Sequence, residues 1–326
     1  MRYLITGGAG FIGSHLSDAL VDRGHDVLVL DNLSTGRLRN IEHRLDHPSF
    51  QFRRGSVLDE EAVRKAVDEA DVVVHLAASV GVQLICRQPL ESLINNVRGT
   101  EHVMQACAEL GRKVLVASTS EIYGKNSTGP LREDADRILG STFKARWVYS
   151  TSKAVDEILA HAYWRDRGTE SIVVRLFNTV GPRQTGEYGM VVPRFVREAL
   201  VGTPITVFGS GEQTRCFCHV SDTVAAILGL LDHPGAVGDV FNVGSQHEIS
   251  INDFANLVIR MVGSPSRVKH IPYDVAYEEG FEDMQRRVPD TTKIRSLTGW
   301  EPMRSLGETI EAVIAYQQTE VHERIT

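Results

Sequence analysis

The chain has 326 residues, of which 42% are hydrophobic and 24% charged, the balance of an ordinary globular protein. Its formal net charge of −7 argues against general binding to nucleic acid or to acidic membranes, because both partners require a basic surface. The four cysteines do not form a disulfide framework, and Cys216 and Cys218 lack the second Cys/His pair of a zinc site, so no metal site is predicted.

The N-terminal sequence shows no targeting signal. Met1 and Arg2 run directly into an apolar strand and a glycine loop, with no charged region, hydrophobic segment or cleavage site of a signal peptide. No uninterrupted apolar run reaches membrane-spanning length. We therefore expect a cytoplasmic protein without a membrane partner.

The first half of the chain alternates short apolar runs with longer amphipathic stretches. The apolar runs predict buried strands at residues 3–6, 26–31, 50–53, 72–76, 114–118 and 171–176. The amphipathic stretches predict helices at residues 11–23, 59–69, 89–110 and 148–167. Such alternation is typical of an α/β fold with a doubly wound parallel sheet.

The pattern changes after about residue 177, where glycines and prolines separate shorter segments. We expect a dinucleotide-binding domain over residues 1–176, with a return to it around 214–244, and a smaller C-terminal substrate-binding region made of 177–213 and 245–326. A long polar insertion at 125–146 follows the fifth strand. Long ordered loops at this edge of a sheet are often functional.

The glycines that follow the first strand predict a dinucleotide site of the Rossmann type. Gly7 permits the tight turn, Gly10 lets the backbone approach a pyrophosphate, and Gly13 lets helix and strand pack closely. The helix that begins here offers free N–H groups and a partial positive charge to the phosphates.

The end of the second strand indicates which dinucleotide binds. Asp31 stands eighteen residues after Gly13, placed to accept a hydrogen bond from a ribose hydroxyl. A carboxylate at that position would repel a 2′-phosphate, which favours NAD over NADP. Arg37 and Arg39 lie nearby on a polar loop, so NADP stays open at this point.

A tyrosine and a lysine four residues apart are candidates for acid–base chemistry. Tyr149 and Lys153 share one face of a predicted helix. A free tyrosine has a pKa of about 10, so a base near neutral pH needs a lowering of roughly three units, or ~4 kcal/mol. An adjacent ammonium and an oxidised nicotinamide together could supply that lowering.

The fifth strand ends in a run of polar side chains. Ser118, Thr119, Ser120 and Glu121 lie where the carboxyl ends of parallel strands bind ligands. Three hydroxyls and a carboxylate at this edge predict a site, although the same residues could also simply cap a turn.

Together these motifs resemble the extended short-chain dehydrogenase/reductase family of nucleotide-sugar epimerases, dehydratases and decarboxylases. The resemblance covers nearly the whole chain and includes the glycine loop, the Tyr149/Lys153 pair and the segments 76–78, 96–100, 177–183, 213–217 and 299–302. It implies an NAD cofactor held by Gly7, Gly10, Phe11, Ile12, Gly13, Asp31, Asn32, Ser56, Val57, Leu76, Ala77, Ala78, Asn96, Tyr149 and Lys153. Ser56 is a departure, because the family often has an aspartate there for adenine, and Val80 is another, because several relatives have a polar or charged residue.

The resemblance also implies the reacting residues. Thr119, Tyr149 and Lys153 form the catalytic trio. Ser120 and Glu121 differ from the residues typical of epimerases and of 4,6-dehydratases and are similar to those of UDP-glucuronate decarboxylases. The segments 144–150, 215–217 and 279–289 favour the same branch and place Arg287 at the sugar, as proton donor or carboxylate partner. The substrate-binding set is then Asn178, Arg183, Arg215 and Arg287.

The implied reaction begins with oxidation at sugar C4. That step makes the C6 carboxylate a β-keto acid, which loses CO₂ to an enolate that Thr119 and Tyr149 can hydrogen-bond. Either UDP-xylose or a UDP-4-keto-pentose would be the product.

Three alternatives stay open at this point. They are 4-epimerisation of a nucleotide sugar, its dehydration, and a non-catalytic NAD-binding protein. By resemblance we also expect a homodimer that pairs through the helices at 89–110 and 148–167.

Overall fold

The computed structural model describes residues 1–276 and 282–323. The strands are β1 (Arg2–Thr6), β2 (Asp26–Asp31), β3 (Phe50–Arg54), β4 (Val72–His75), β5 (Lys113–Thr119), β6 (Ser171–Leu176), β7 (Thr179–Val180), β8 (Ile205–Phe208), β9 (Thr214–Cys216), β10 (Cys218–His219), β11 (Val240–Val243), β12 (Glu248–Ser250), β13 (Val268–Ile271) and β14 (Arg286–Arg287). The helices are α1 (Phe11–Asp22), α2 (Glu60–Asp68), α3 (Val82–Arg87), α4 (Pro89–Leu110), α5 (Val148–Arg167), α6 (Val191–Val201), α7 (Val220–Asp232), α8 (Ile251–Val262), α9 (Tyr273–Ala276), α10 (Thr292–Thr298) and α11 (Leu306–Glu323).

Seven strands form one parallel sheet in the order β11-β6-β5-β4-β1-β2-β3. The chain runs outward from β1 to β3, then crosses to β4 and runs outward in the other direction. The point where the order reverses, between β1 and β4, is where ligands bind in open α/β sheets. The predicted α/β doubly wound fold is therefore confirmed.

The predicted elements of the first half are present with boundaries that differ by at most one residue. The reason is the alternation of side chains along each strand. Ile5 and Val29 enter the core under α1 and α7, whereas Leu4 and Leu28 enter the core under α2 and α4. A strand buried on both faces reads as a continuous apolar run, which is what the sequence shows.

The C-terminal half builds a separate core. Phe195, Ile205 and Phe254 pack there among α6, α8, α11 and the parallel pair β8–β13. Strand β9 pairs with β12 on one side and with β14 on the other, in a three-stranded sheet. The register of that second pairing sets Arg215 beside Arg287.

The sequence predicted a return to the dinucleotide-binding part around 214–244, but not the individual elements within it. Strand β11 adds a seventh strand to the large sheet, and α7 covers the same sheet, although both lie beyond the region of clear alternation. Within residues 1–276 and 282–323, no helix is both long and apolar enough to cross a membrane.

The glycine loop gives a test of the fold. A Cβ at Gly13 would lie 2.4 Å from the Gly7 carbonyl oxygen. We expect Gly13→Ala to lower the free energy of unfolding and to weaken NAD binding, because the backbone of the loop must move. Gly229, also helical, has no neighbour nearer than 3.9 Å to such a Cβ. Gly229→Ala should therefore stabilise by about 0.5–1 kcal/mol. Thermal unfolding and NAD titration of both variants check this, and equal behaviour would contradict it.

Candidate active site

A cavity of about 460 Å³ lies at the carboxyl ends of β1, β2, β4, β5 and β6. The predicted cofactor residues on its wall are Gly7, Gly10, Phe11, Ile12, Gly13, Asp31, Asn32, Val57, Leu76, Ala77, Ala78, Tyr149 and Lys153. Helix α1 opens onto this cavity with no side-chain cap on its first N–H groups. A helix end of this kind, approached closely by glycine backbone, suits a pyrophosphate.

Asp31 lies on the cavity wall at the end of β2. Its carboxylate accepts hydrogen bonds from the N–H groups of Ala9 (3.0 Å) and Leu33 (2.8 Å). Burial raises its pKa against the effect of these two bonds. The two nearby arginines that could have favoured NADP form other contacts. Arg37 contacts Thr185 and Glu187, and Arg39 pairs with Glu320.

Two predicted cofactor residues do not reach the cavity wall. Asn96 is buried behind it, where it accepts from the N–H of Ser79 (2.7 Å) and donates to Ser152 (3.1 Å), and the neighbouring Asn95 lines the cavity instead. The hydroxyl of Ser56 accepts from the N–H of Leu58 and caps a local turn. Both placements follow from backbone direction, which residue type alone does not reveal.

Tyr149 and Lys153 project from the first turns of α5 into the cavity, beside the end of β5. Lys153 Nζ donates to the Ala117 carbonyl (2.9 Å) and pairs with Asp156 (3.0 Å). Burial and the negative charges of Glu121 and Asp156 raise the pKa of Tyr149, against a hydrogen bond with Thr119. The protein's own groups thus raise the pKa of Tyr149, whereas a base near neutral pH needs a lower one. A bound positive charge must therefore lower this pKa.

Thr119 and its neighbours are positioned by the turn that ends β5. The hydroxyl of Thr119 accepts from the N–H of Glu121 (3.2 Å), and that of Ser118 donates to Glu157 (2.5 Å). Ser120 is buried and also lines the cavity. The polar run at the strand end is therefore both a turn cap and part of the cavity wall.

Glu121 lies between two arginines. Arg146 Nη1 is 2.5 Å from its Oε2, and Arg287 Nη1 is 3.3 Å from its Oε1. Burial acts to raise the pKa of Glu121, but the two positive charges outweigh it, so the pKa is below its usual range. Arg287 also donates to Asn178 Oδ1 (2.8 Å), and Asn178 adopts a left-handed φ of 34°.

A second charge pair completes this wall. Arg215 contacts Asp283 (3.1 Å), whose other oxygen accepts from the Tyr273 hydroxyl (2.9 Å). Burial together with Arg215 and Arg146 lowers the pKa of Arg287 to about 10. Three arginines against two carboxylates leave this wall with one excess positive charge, which suits an anionic ligand.

Sequence reasoning missed Arg146, Asp283 and Tyr273. The one available signal was a basic residue three positions before Tyr149 at the start of a helix. Arg183, by contrast, was predicted to bind substrate but pairs with Asp18 (2.7 Å) and does not line the cavity. The part of segment 279–289 that covers residues 279–281 lies outside the described residues.

The cysteine pair shows no sign of ligand chemistry. Burial raises the pKa of both Cys216 and Cys218 to about 12. Over the described ranges, no cluster of three His, Cys, Asp or Glu side chains is arranged to hold a metal ion.

The fold and the cavity define a dinucleotide-binding α/β protein with a tyrosine–lysine pair. The model of the NAD dependent epimerase/dehydratase family matches residues 3–244, and the chain belongs to that family. The predicted resemblance, the enzyme class and the NAD cofactor are thereby confirmed.

Several relatives are similar over nearly the whole chain. UDP-N-acetyl-alpha-D-glucosaminuronate decarboxylase of Bacillus cytotoxicus is 41% identical, with 95% of this chain and 97% of that protein covered. UDP-glucuronic acid decarboxylase 1 of Xenopus tropicalis is 38% identical, with 99% and 73% covered. The structure of UDP-glucuronic acid 4-epimerase from Bacillus cereus, in complex with UDP-glucuronic acid and NAD, has a TM-score of 0.88 at 28% identity, with 98% and 100% covered.

The ion pairs of Glu121 predict how stability depends on pH. Because the folded pKa of Glu121 is depressed from 4.5, its stabilisation is fully present above that value and is lost as the pH falls through the folded pKa. Glu121→Gln leaves two buried arginines without their carboxylate and should cost about 3–5 kcal/mol at pH 7. The loss should shrink at acid pH.

Urea unfolding at several pH values measures this effect. Glu61→Gln is the control, because Glu61 forms an exposed pair with Lys65 and should change stability by less than about 0.5 kcal/mol. A cost for Glu121→Gln that stays the same at every pH would refute the assignment.

Proposed function

We propose that the protein decarboxylates a UDP-hexuronate through a 4-keto intermediate, with UDP-glucuronate as the substrate expected from the sequence. The observation that carries this proposal is the pair of arginines on Glu121, which gives this part of the cavity wall an excess of positive charge. A sugar carboxylate would complement that charge. Two relatives named as decarboxylases of UDP-uronates support the same conclusion.

The residues present account for the chemistry. When bound, NAD⁺ supplies the acceptor for the hydride at C4. Tyr149 takes the proton of the 4-hydroxyl, with Lys153 beside it. When the C5–C6 bond breaks, its electron pair moves toward the C4 oxygen, and Thr119 and Tyr149 hydrogen-bond the enolate. A proton at C5 completes the 4-keto pentose.

Ionised Glu121 has a different part in this scheme. Its two arginines disfavour a proton on it, so it serves to hold Arg287 and Arg146 in place. Arg287, which lines the cavity, is then available to pair with the C6 carboxylate of the substrate.

A direct assay tests the proposal. The protein is incubated with NAD⁺ and either UDP-glucuronate or UDP-N-acetylglucosaminuronate, and CO₂ and the sugar products are measured. We expect CO₂ from at least one uronate and none from UDP-glucose, which has no carboxylate to lose. Inversion at C4 without CO₂ would favour the epimerase alternative. The products also distinguish UDP-xylose from a released 4-keto pentose.

Adjacent arginines provide a matched pair of variants. Arg287→Lys keeps the charge but loses the two-pronged contact with Glu121 and Asn178. We expect kcat for CO₂ release to fall about 100-fold, with NAD affinity unchanged. Arg286→Lys, whose side chain pairs with Glu248 at the surface, should stay within about two-fold of the parent. Equal losses in both variants would remove Arg287 from the mechanism.

We also propose that the protein forms a homodimer through α4 and α5. These two helices pack side by side and leave apolar side chains exposed, among them Leu90 (61% exposed) and Ile158 (65%). Burial of such a surface against a second copy would be favourable.

A charge on this surface tests the dimer. Ile158→Glu should convert the dimer to a monomer in sedimentation equilibrium, because pairing would bury the new carboxylate. Val201→Glu, at a comparably exposed position on α6, should not change the mass. A parent protein that sediments as a monomer would exclude the proposal.

The division into domains and the cytoplasmic location stay predictions. The completion of the large sheet by β11 and its cover by α7 support a return of the chain around 214–244 to the dinucleotide-binding part. The separate core around Phe195 and Phe254 supports a distinct substrate-binding region.

A further inference from the structure

Asp156 is a buried carboxylate beside the catalytic lysine. Its exposed fraction is 0%, and apart from Lys153 its oxygens have no donor among the described residues. The one ion pair found for it in the described part of the chain joins it to Lys153 Nζ at 3.0 Å. A buried charge persists only with a partner, so the carboxylate and the ammonium depend on each other.

The lysine is held from two sides. Lys153 is 3% exposed, and its Nζ also donates to the carbonyl of Ala117 at 2.9 Å, near the end of β5. Tyr149 precedes it by one helical turn, and Asp156 follows it by nearly one turn. The three side chains therefore form a row along one face of α5.

We propose that Asp156 is a positioning residue for the tyrosine–lysine pair: it fixes the Lys153 ammonium beneath the end of β5 and offsets part of its charge toward Tyr149. The tyrosine then keeps its proton in the resting enzyme. This inference rests on the proposed role of Tyr149 as the acid–base group.

The other charges around Tyr149 are accounted for. Glu121, in the turn after β5, and Arg287, on β14, act in opposite directions on its pKa. His75 on β4 lies between the hydroxyls of Thr6 and Thr100. Burial and Lys153 lower the pKa of His75 to about 3, so it carries no charge at neutral pH.

Asp156 thus acts on Tyr149 in the same direction as Glu121. The two carboxylates, together with burial, raise the pKa of the tyrosine. A neutral tyrosine can donate a hydrogen bond to the C4 oxygen, which is what the enolate needs after CO₂ leaves. Asp156 would therefore favour the step that forms the enolate, and it would disfavour the removal of the 4-hydroxyl proton by Tyr149.

The isosteric variant Asp156→Asn tests the charge. The two side chains lie about 10 Å apart along the helix, so removal of the carboxylate should lower the pKa of Tyr149 by about one unit. The acid limb of the kcat/KM profile should move by that amount to lower pH, with about ten-fold more activity than the parent at pH values below the limb. Asp166→Asn, at an exposed position on the same helix, should leave the profile unchanged.

A spectroscopic measurement keeps this test independent of activity. Tyrosinate absorbance is titrated with NAD⁺ bound, and the signal of the Tyr149→Phe version of each protein is subtracted. We expect the same one-unit shift in the Asp156→Asn protein even if no uronate is decarboxylated, so a failure of the proposed function would be recognised separately. No shift, or a shift to higher pH, would overturn the role of Asp156.

A second variant covers the case in which Asp156→Asn does not fold. Asp156→Glu keeps the negative charge and should keep the parent's tyrosinate titration. A fall in the pKa of Tyr149 as large as one unit in that variant would show that packing, not charge, sets the titration.

Discussion

The contact of Glu121 with Arg146 and Arg287 is the interaction on which the rest of the site depends. It joins three distant parts of the chain: the turn after β5, the segment before α5, and β14. Because all three side chains are almost fully buried, removal of Glu121 would leave two arginines without their carboxylate. The same contact therefore closes the substrate region over the large sheet and sets the charge of the cavity.

The balance of charge explains how the cavity can accept an anion in a protein that is acidic overall. Arg215 pairs with Asp283, and Arg146 and Arg287 share Glu121, so three arginines face two carboxylates and the wall is positive by one charge. The pairing register of β9 and β14 brings Arg215 and Arg287 together. An acidic surface and a locally positive cavity are compatible, since burial reduces screening by solvent.

Much of the fold could be read from the sequence because its signals are local. A strand buried on both faces leaves a continuous apolar run, and a helix leaves an apolar stripe. Gly13 meets the carbonyl of Gly7, only six residues before it. Tyr149 and Lys153 share a helix, so their spacing alone predicted that they lie on one face, and both line the cavity. Asp283 left no such local signal and Arg146 only its position before Tyr149, because what defines both residues is a partner far along the chain.

The sequence by itself determined the parallel sheet, the glycine loop at the start of α1 and the tyrosine–lysine pair, since each depends on the order of residues within one element or one turn. Tertiary structure decided the rest. It turned Asn96 and Arg183 away from the cavity, brought Arg146 and Arg287 to Glu121, and buried Asp156 against Lys153. The physical reason is that a charge takes its role from its neighbours and its burial, and both are set only when distant segments pack.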